Sequence, residues 1–329
     1  MAIYTLVKLK SMAPLHIGTG KENYDFSALD LQSDTLSAAL AAMKAQNGES
    51  GDLEEFLNSF TLSSAFPFVG DRYFLPRPQG KMSVTISDGE EYVSRKKLKK
   101  IKYIEVDLWS ELAAGKEVSV KERQLQDQFL LSSIRNEDFR RPYKSKVNQR
   151  VTIPREEGIY ADPFFFEWVY FHSDAGLYCL LDTPDSQRDD LIRLFKQLGE
   201  FGIGTDKNIG GGKFDVEIRN LSLPEIDAPD SQLLLSLFIP AKEDVELLNL
   251  HDSCYDLLHR GGYIAGSQEM DFRHLRKKSV YMFNVGSVFK TTSRLSGKVV
   301  NLRPHWDDER LHPVFRSGKP FIVPVKFKL

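Results

Sequence analysis

The stretch FGIGTDKNIGGGKF, residues 201–214, lies between a predicted helix and a predicted strand and carries five glycines together with Lys207 and Lys213. Glycine loses more backbone entropy on folding than other residues, so a cluster indicates left-handed backbone or a close approach by another group. A tight helix-to-strand return needs one or two glycines. Five glycines with two lysines favour a second role, and we predict that this loop lies against a polyanion.

The position of the loop excludes two common phosphate-binding motifs. Phosphate loops of P-loop and Rossmann proteins follow a strand and precede a helix, so that amides at the helix N-terminus face the anion. Here the order is reversed, and Lys207 stands where GxGxxG requires its third glycine. The segment GTGKE also fails the P-loop pattern, with Leu15 at the first glycine position and Glu22 at the Ser/Thr position.

The segments on either side of the loop predict a mixed α+β fold. Hydrophobic periodicity and turn signals predict a strand at 1–10, a helix from Ser33, a short helix at 52–60, aromatic strands at 158–171 and 176–183, an amphipathic helix at 185–202 and a strand at 212–221. Ser33 is the predicted N-cap of its helix, and HSDAG (172–176) predicts a hairpin between the two aromatic strands. The resulting order, βαββαβ, is typical of a ferredoxin-like unit.

The chain divides into two predicted domains. A Pro/Asp-rich linker at 222–231 separates residues 1–222 from a β-rich C-terminal domain at 223–329. We interpret the second domain, with a predicted helix around 244–259, as a degenerate copy of the first. The charged region at about 82–158 is predicted to be an insertion outside the core, partly disordered until partners bind.

Composition indicates an ordinary globular protein, with 41% apolar residues, 27% charged residues and a net charge of −2. Basic residues nevertheless concentrate in three runs, at 95–103, 139–150 and 260–294. One such run is usually a solvated face, but three in a slightly acidic chain indicate a polyanion partner. The two cysteines, Cys179 and Cys254, indicate no disulfide framework, and no segment has the roughly 20 apolar residues of a membrane span. We therefore expect a cytoplasmic protein with no membrane contact.

Seven segments along the chain resemble one family. They are LHIGTG (15–20), LQSDTLSAAL (31–40), FTLSSAFPF followed by YFLPRP (60–78), FGIGTDKNIGGGKFDVEI (201–218), RGGYIAGS (260–267), VYMFNVGSVFK (280–290) and GKVVNLRP (297–304). A ferredoxin-like unit whose second helix runs into a glycine-rich loop and a short strand resembles the RAMP superfamily of CRISPR RNA-binding proteins. In order and coverage, the segments resemble the RAMP subunit that binds the crRNA 5′ handle in the type III-A (Csm) effector complex.

The resemblance implies two ferredoxin-like (RRM-like) RAMP domains and a non-catalytic, RNA-binding role in antiviral defence, without a metal or cofactor. A subunit of this kind clamps the 5′ handle of the crRNA. It contacts the large polymerase-like subunit and begins the row of backbone RAMP subunits. A β-hairpin thumb, matched here by residues 143–160, presses against the guide–target RNA duplex.

The resemblance and the local chemistry together indicate a set of RNA-binding residues. They are His16, Gly18, Thr19, Gly20 and Lys21 after the first strand; Lys144, Lys146 and Arg150 on the thumb; Gly202, Gly204, Lys207, Asn208, Gly210, Gly211, Gly212 and Lys213 in the loop; and Gly261, Gly262 and Tyr263 in the second domain. Backbone amides freed by glycine can bind phosphates and bases, and lysine and arginine neutralise phosphates.

The alternative function is a metal-independent CRISPR RNA-processing endoribonuclease, because some RAMP relatives cleave RNA with His or Tyr as general acid or base. His16, Tyr24 and Lys207 could fill those roles. No partner for His16 stands at a diagnostic spacing, and we favour a structural histidine that orients the loop. The HDSC segment at 251–254 and His259 lie on the predicted helix of the second domain, where a zinc site would need a further ligand.

Overall fold

The computed structural model describes residues 2–18, 24–49, 51–134, 139–153, 160–264, 270–272 and 274–326. The helices are α1 (Ser33–Gln46), α2 (Leu53–Asn58), α3 (Glu91–Lys100), α4 (Val106–Ala113) and α5 (Asp185–Phe201). The strands up to residue 223 are β1 (Ala2–Lys10), β2 (Thr61–Leu62), β3 (Phe66–Val69), β4 (Arg72–Pro76), β5 (Val84–Ile86), β6 (Tyr103–Glu105), β7 (Val118–Val120), β8 (Leu125–Gln126), β9 (Phe129–Leu130), β10 (Tyr143–Thr152), β11 (Asp162–Phe171), β12 (Ala175–Asp182) and β13 (Asp215–Leu223). The later strands are β14 (Ser231–Leu234), β15 (Leu257–Arg260), β16 (Val280–Phe283), β17 (Val288–Phe289), β18 (Val299–Asn301), β19 (Phe315–Ser317) and β20 (Ile322–Val325). This content confirms the predicted α+β class.

A nine-stranded sheet organises the first two-thirds of the chain. Its order is β13-β1-β12-β3-β4-β6-β9-β8, with β2 pairing on β12. Strand β1 is antiparallel to both neighbours, with Val7 opposite Cys179 on one side and Ile218 on the other. Helix α1 follows β1, and α5 joins β12 to β13. The strands β13, β1, β12 and β3 with these two helices follow a βαββαβ connectivity, but β3 stands in the place of the strand predicted at 158–171.

Helices α1 and α5 pack on one face of the sheet. Leu194 and Leu198 of the predicted apolar stripe of α5 are buried there with Val7, because four-residue spacing puts both leucines on one side of the helix. Helix α1 begins at Ser33, but its N-cap is Gln32, so the predicted N-cap is wrong. The Ser33 hydroxyl instead accepts a hydrogen bond at 2.9 Å from the backbone amide of Leu237, in the second half of the chain.

The region at 82–158 contributes to the core, contrary to our prediction. Strands β6, β9 and β8 extend the main sheet, and Ile104, Trp109 and Leu130 are buried in one cluster with Leu6 of β1. The charges of this region concentrate on exposed surfaces such as helix α3. These charges lower the average hydropathy of the region and hide the short apolar segments between them. The prediction that the region lies outside the core was wrong for this reason.

The two aromatic segments, 158–171 and 176–183, do not pair with each other. Strand β11 pairs along its length with β10, with Phe166 opposite Asn148, whereas β12 lies in the main sheet between β1 and β3. The HSDAG segment does form a tight turn, but the chain passes there from one sheet to the other. The hairpin predicted at HSDAG is therefore wrong. The segment 143–160 predicted as the thumb contains β10, which forms a hairpin with β11.

The chain beyond residue 223 forms small sheets and turns. Strand β14 pairs with β17 and β20, β15 pairs with β16, and β18 pairs with β19. The helix predicted around 244–259 is wrong: this segment contains 3₁₀ turns at Val245–Leu247 and Leu250–Asp252 and then enters β15. Between residues 224 and 326, the part of the chain that the structure describes contains no α-helix.

The hydrophobic core is continuous across the predicted domain boundary. Leu233 and Val323 are buried in the same cluster as Leu6 and Leu180 of the main sheet. The division into domains 1–222 and 223–329, and the ferredoxin-like nature of both, stay predictions. No helix among the residues described above is long and apolar enough to cross a membrane.

Candidate nucleic-acid interface

The glycine loop begins where α5 ends, and backbone conformation explains most of its glycines. Gly202, Gly204, Gly210 and Gly212 have φ angles of +87°, +91°, +87° and +66°. A residue with a side chain costs about 1–2 kcal/mol in this left-handed region. The fifth glycine, Gly211, lies against Trp168, since a Cβ atom there would be 2.7 Å from the indole ring.

The loop folds back on the protein's own backbone. A Cβ on Gly212 would lie 1.8 Å from the carbonyl oxygen of Ile203, and one on Gly204 would lie 2.3 Å from that of His16. Four glycine amides donate to carbonyl groups within the protein: Gly202 to Leu198, Gly210 to Lys207, Gly211 to Asp206 and Gly212 to Pro14. The prediction that these four amides are free to bind phosphate is therefore wrong, because the fold itself uses them.

The polar side chains of the loop face solvent. Lys207 and Asn208 lie in a single 3₁₀ turn, Lys207–Ile209, and are exposed, as is Lys213. The carbonyl of Lys213 accepts a hydrogen bond from the Ala13 amide at 2.8 Å, so the base of the loop is anchored. The loop is thus a fixed support that presents two lysines and an amide side chain.

The hairpin formed by β10 and β11 lies beside this loop. Lys144, Lys146 and Arg150 alternate along β10 and therefore share one face. Lys146 is opposite Trp168, whose ring lies against Gly211 of the loop. Lys144 and Lys146 are exposed, and they lie on the face of the hairpin that also carries Trp168, the residue that contacts the loop.

Arg150 joins the hairpin to the loop. Its guanidinium forms a salt bridge with Asp206 and lies 4.0 Å from the centroid of the Phe166 ring and 5.3 Å from that of Trp168. Asp206 has left-handed backbone with a φ of +57°, a conformation that aspartate tolerates better than most residues. The guanidinium predicted to contact RNA is therefore engaged within the protein, where it holds the loop in place.

His16 lies beneath the loop and not on the surface. It is 1% exposed, and its ring is 4.4 Å from the Phe166 ring. Its Nδ1 donates to the carbonyl of Glu167 at 2.8 Å, and its own carbonyl accepts from the Thr205 amide at 3.0 Å. These contacts support the structural role that orients the loop, and contact of His16 with RNA stays a prediction.

The segment after His16 is described only in part. Gly18 is exposed, with nothing within 4 Å of a Cβ placed on it, so its contact with RNA stays a prediction. Thr19, Gly20 and Lys21 lie outside the described residues.

The second glycine-rich segment follows β15. Gly261, Gly262 and Tyr263 are half-buried. The Tyr263 ring lies 4.9 Å from the guanidinium of Arg276, and its hydroxyl accepts a hydrogen bond from that group at 3.1 Å. Contact of this segment with RNA stays a prediction.

Sequence reasoning missed the groups that hold the loop, namely Phe166, Trp168 and Asp206. A signal for the two aromatic residues was present, because Phe164, Phe166 and Trp168 alternate along one strand and must share a face. Asp206 carried no such signal, since its partner Arg150 is 56 residues away in the sequence.

The residues considered for zinc do not form a site. His251 lies in a 3₁₀ turn and Cys254 in an isolated bridge, while His259 belongs to β15, so a shared helix is absent. Nδ1 of His251 is 2.9 Å from a carboxylate oxygen of Asp252, and both side chains are exposed. Across the described ranges, no group of three or more His, Cys, Asp or Glu side chains is arranged to hold a metal ion.

Comparison with known proteins shows similarity to Csm4 proteins. Residues 227–325 match the family model of the CRISPR Csm4 C-terminal domain. The "CRISPR system Cms protein Csm4" of Thermococcus onnurineus (strain NA1) is 27% identical over 283 residues, which cover 82% of this chain and 87% of that protein. The protein of the same name from Mycobacterium tuberculosis (strain ATCC 25618 / H37Rv) is 25% identical over 313 residues, covering 92% and 93%. The chain is similar to Csm4 proteins over most of its length, and its C-terminal part matches the Csm4 family model.

Csm4 is a RAMP-type subunit of the type III-A CRISPR effector, so the resemblance of the seven sequence segments is confirmed. A chain in the crystal structure of a Csm3–Csm4 subcomplex of the type III-A interference complex superposes with a TM-score of 0.63 at 17% identity, covering 98% of this chain and 99% of that one. A chain in a Csm1–Csm4 cassette in complex with cA4 gives a TM-score of 0.61 at 20% identity, with both chains fully covered. The chain described above shares the fold of these two structures.

Proposed function

We propose that this Csm4-like chain is a non-catalytic RNA-binding subunit that clamps the 5′ handle of the crRNA. One observation carries the proposal: exposed lysines stand on two elements that contact each other, Lys144 and Lys146 on the hairpin and Lys207 and Lys213 on the glycine loop. The salt bridge of Arg150 fixes one group relative to the other. Single-stranded RNA is held mainly by phosphate neutralisation, and a rigid array of lysines provides it without immobilising flexible backbone at the moment of binding.

We extend the proposal to the partners. The similar chains of known structure come from a Csm1–Csm4 cassette and a Csm3–Csm4 subcomplex. By analogy, this chain contacts a large polymerase-like subunit of the Csm1 kind and a neighbouring backbone RAMP subunit of the Csm3 kind. The hairpin has the role of the thumb against the guide–target duplex. Its face opposite the lysines exposes Val147, Val151 and Phe165, which supports a contact surface there.

The alternative, RNA processing by a His-dependent ribonuclease site, receives no support from the geometry. A general acid or base must reach the substrate within hydrogen-bond distance. His16 is buried under the loop, and its Nδ1 is occupied by the Glu167 carbonyl. Incubation of the purified chain with repeat RNA in EDTA tests the alternative directly, because a discrete product that is lost in His16→Ala would favour cleavage over clamping.

The clamping role is tested by charge reversal. We expect Lys207→Glu/Lys213→Glu to weaken binding of labelled repeat-derived RNA about tenfold or more, since each charged phosphate contact is worth roughly 1.5–3 kcal/mol. The matched control is Lys116→Glu/Lys242→Glu, which reverses two exposed lysines elsewhere on the chain. Unchanged thermal unfolding of both variants shows that the fold is intact. Equal affinities of the two variants would contradict the proposed site.

A further inference from the structure

Three cationic side chains of the second half of the chain surround one buried carboxylate in the first turn of α1. Asp34 is fully buried, and Arg260 donates to its two carboxylate oxygens from Nε and Nη2, each at 2.9 Å. Arg316 donates to the Asp34 carbonyl at 2.9 Å and lies 3.9 Å from its carboxylate. Lys277 is the third cation, and its charge acts on the Asp34 carboxylate as well.

The charges of this cluster do not balance. Asp34 carries one negative charge, and Arg260, Lys277 and Arg316 carry three positive charges when all are protonated. The N-terminus of α1 adds a further partial positive charge at the same place. Burial favours the neutral acid at Asp34, but the two arginines outweigh it and hold the pKa of this carboxyl below its usual value. The Asp34 carboxylate is therefore already paired with the two arginines. No anion among the described residues of this cluster balances the remaining positive charge.

Lys277 is the residue that the fold leaves unsatisfied. It is 9% exposed, and among the described residues its ammonium has neither a hydrogen-bond acceptor nor a carboxylate within salt-bridge distance. Burial, then the charge of Arg316 and that of Arg260, lower the pKa of Lys277 to about 7 despite the attraction of Asp34. Buried charges are normally paired, so this ammonium is available to an anion from outside the chain.

A purely structural role accounts for only two of the three cations. Arg260 and Arg316 tie α1 to the second half of the chain through Asp34, which is a sufficient structural role for both. Lys277 takes no part in that link. A neutral side chain of similar length, such as methionine, would fill the same space without the cost of desolvation. A lysine at this position therefore needs a purpose beyond packing.

We propose that Arg260, Lys277 and Arg316 form an oxyanion site that takes one phosphodiester group of the bound RNA. This assignment rests on the proposed RNA-binding function. The ammonium of Lys277 and the guanidinium nitrogen of Arg260 that does not bind Asp34 are groups that proteins use for phosphate. Arg260 is 26% exposed, so the site is reached from solvent on its side. Gly261 and Gly262 follow Arg260 directly, and the Gly262 carbonyl accepts from the Lys277 amide at 3.1 Å, so backbone without side chains lines the approach.

The oxyanion site and the loop lysines should differ in ligand selectivity and in the salt dependence of binding. Exposed lysines such as Lys207 attract any polyanion and lose affinity steeply with salt. A buried lysine is shielded from the ionic atmosphere and binds only a group that enters the pocket. We therefore expect the oxyanion site to fix the register of the RNA, whereas the exposed lysines supply most of the salt-dependent attraction.

The test compares two adjacent lysines, because Lys278 is exposed while Lys277 is buried. We expect Lys277→Met to reduce the affinity of the full chain for labelled repeat-derived RNA by about tenfold or more. We expect Lys278→Met to change it by less than about threefold. Lys277→Met removes an unpaired buried charge and is expected to fold, which circular dichroism and thermal unfolding establish. Equal affinities of the two folded variants would overturn the proposal.

A second arm uses inorganic phosphate alone, compared with sodium chloride at equal ionic strength. Phosphate should raise the unfolding temperature of the wild-type chain and of Lys278→Met, but not that of Lys277→Met. A phosphate effect that depends on Lys277, together with RNA binding that does not, would overturn the RNA assignment and leave a site for free phosphate. If the wild-type chain bound no RNA at all, the proposed function would fail, and the phosphate arm would still decide whether the oxyanion site exists. Equal phosphate shifts in all three proteins would overturn the site itself.

Discussion

The glycine loop makes a quantitative prediction at Gly212 and Gly210. Both have left-handed backbone, so replacement by alanine costs each about 1–2 kcal/mol from conformation alone. They differ in their surroundings. A Cβ on Gly210 meets nothing within 4 Å, whereas one on Gly212 would lie 1.8 Å from the Ile203 carbonyl oxygen and 2.9 Å from its carbonyl carbon. Relief of that overlap requires the two backbone segments to separate by more than about 1 Å, since non-bonded heavy atoms rest near 3.5 Å.

Separation of the segments would break further interactions. The Gly212 amide donates to Pro14 at 2.9 Å, and the Gly212 carbonyl accepts from the Ile203 amide at 3.0 Å. Loss of these buried hydrogen bonds adds about 1–3 kcal/mol each. We expect Gly212→Ala to destabilise the chain by about 3–5 kcal/mol or more, and Gly210→Ala by about 1–2 kcal/mol.

Urea unfolding followed by circular dichroism measures both variants against the wild-type chain. Gly210→Ala is the matched control, because it makes the same chemical change in the same loop with the same sign of φ. A destabilisation of Gly212→Ala within about 0.5 kcal/mol of that of Gly210→Ala would refute the argument that close packing of the protein's own backbone requires glycine there.

Three further predictions follow from the ion pairs. Asp34→Asn should destabilise the chain by about 3–5 kcal/mol in thermal unfolding, because it removes the buried carboxylate that pairs with Arg260 and Arg316; a loss below about 1 kcal/mol would contradict a stabilising role of this carboxylate. Burial lowers the pKa of Lys277 from its usual value of about 10.5 to about 7 in the folded chain. Between pH 7 and 10.5 the unfolded chain therefore binds more protons than the folded chain. The free energy of unfolding should rise with pH over this range, by up to about 1.4 kcal/mol per pH unit. Urea titrations at pH 7 to 10 should show that rise in the wild type and a smaller one in Lys277→Met; identical profiles would contradict the assignment. Arg150→Ala should cost about 1–2 kcal/mol and speed proteolysis within the loop, whereas Lys146→Ala should stay within about 0.5 kcal/mol, and equal effects would show that Arg150 does not hold the loop.

The sequence predicts the elements whose apolar residues recur at a regular spacing. Helix α5 is an example, because Leu191, Leu194 and Leu198 recur on one side and Gly202 ends the helix. The order of strands and helices around the main sheet follows from the same signals. Strand partners are less predictable, since β11 has the composition of a strand that pairs with β12, and only the three-dimensional fold shows that β10 is its neighbour.

The site is less predictable than the fold. The sequence predicts that the glycine cluster contacts a polyanion, but it does not reveal that the protein's own packing requires these glycines. Ile203, Trp168 and Pro14 contact the loop only in the folded chain. Asp34 and Arg260 are 226 residues apart, and no local pattern links a helix N-terminus to a strand so distant. Lys144, Lys146, Lys207 and Lys213 lie at the surface, as most lysines do, and their contact with RNA stays a prediction.

The salt dependence of RNA affinity tests the central claim most directly, namely that four exposed lysines on the hairpin and the loop neutralise RNA phosphates. Equilibrium binding of labelled repeat-derived single-stranded RNA is measured over a range of salt concentrations. The wild-type chain is compared with a variant carrying Lys144→Ala, Lys146→Ala, Lys207→Ala and Lys213→Ala. Each lost phosphate contact lowers the slope of log K against log salt by about 0.7, so the account predicts a slope shallower by about 2.8 in the variant. An unchanged slope would contradict it.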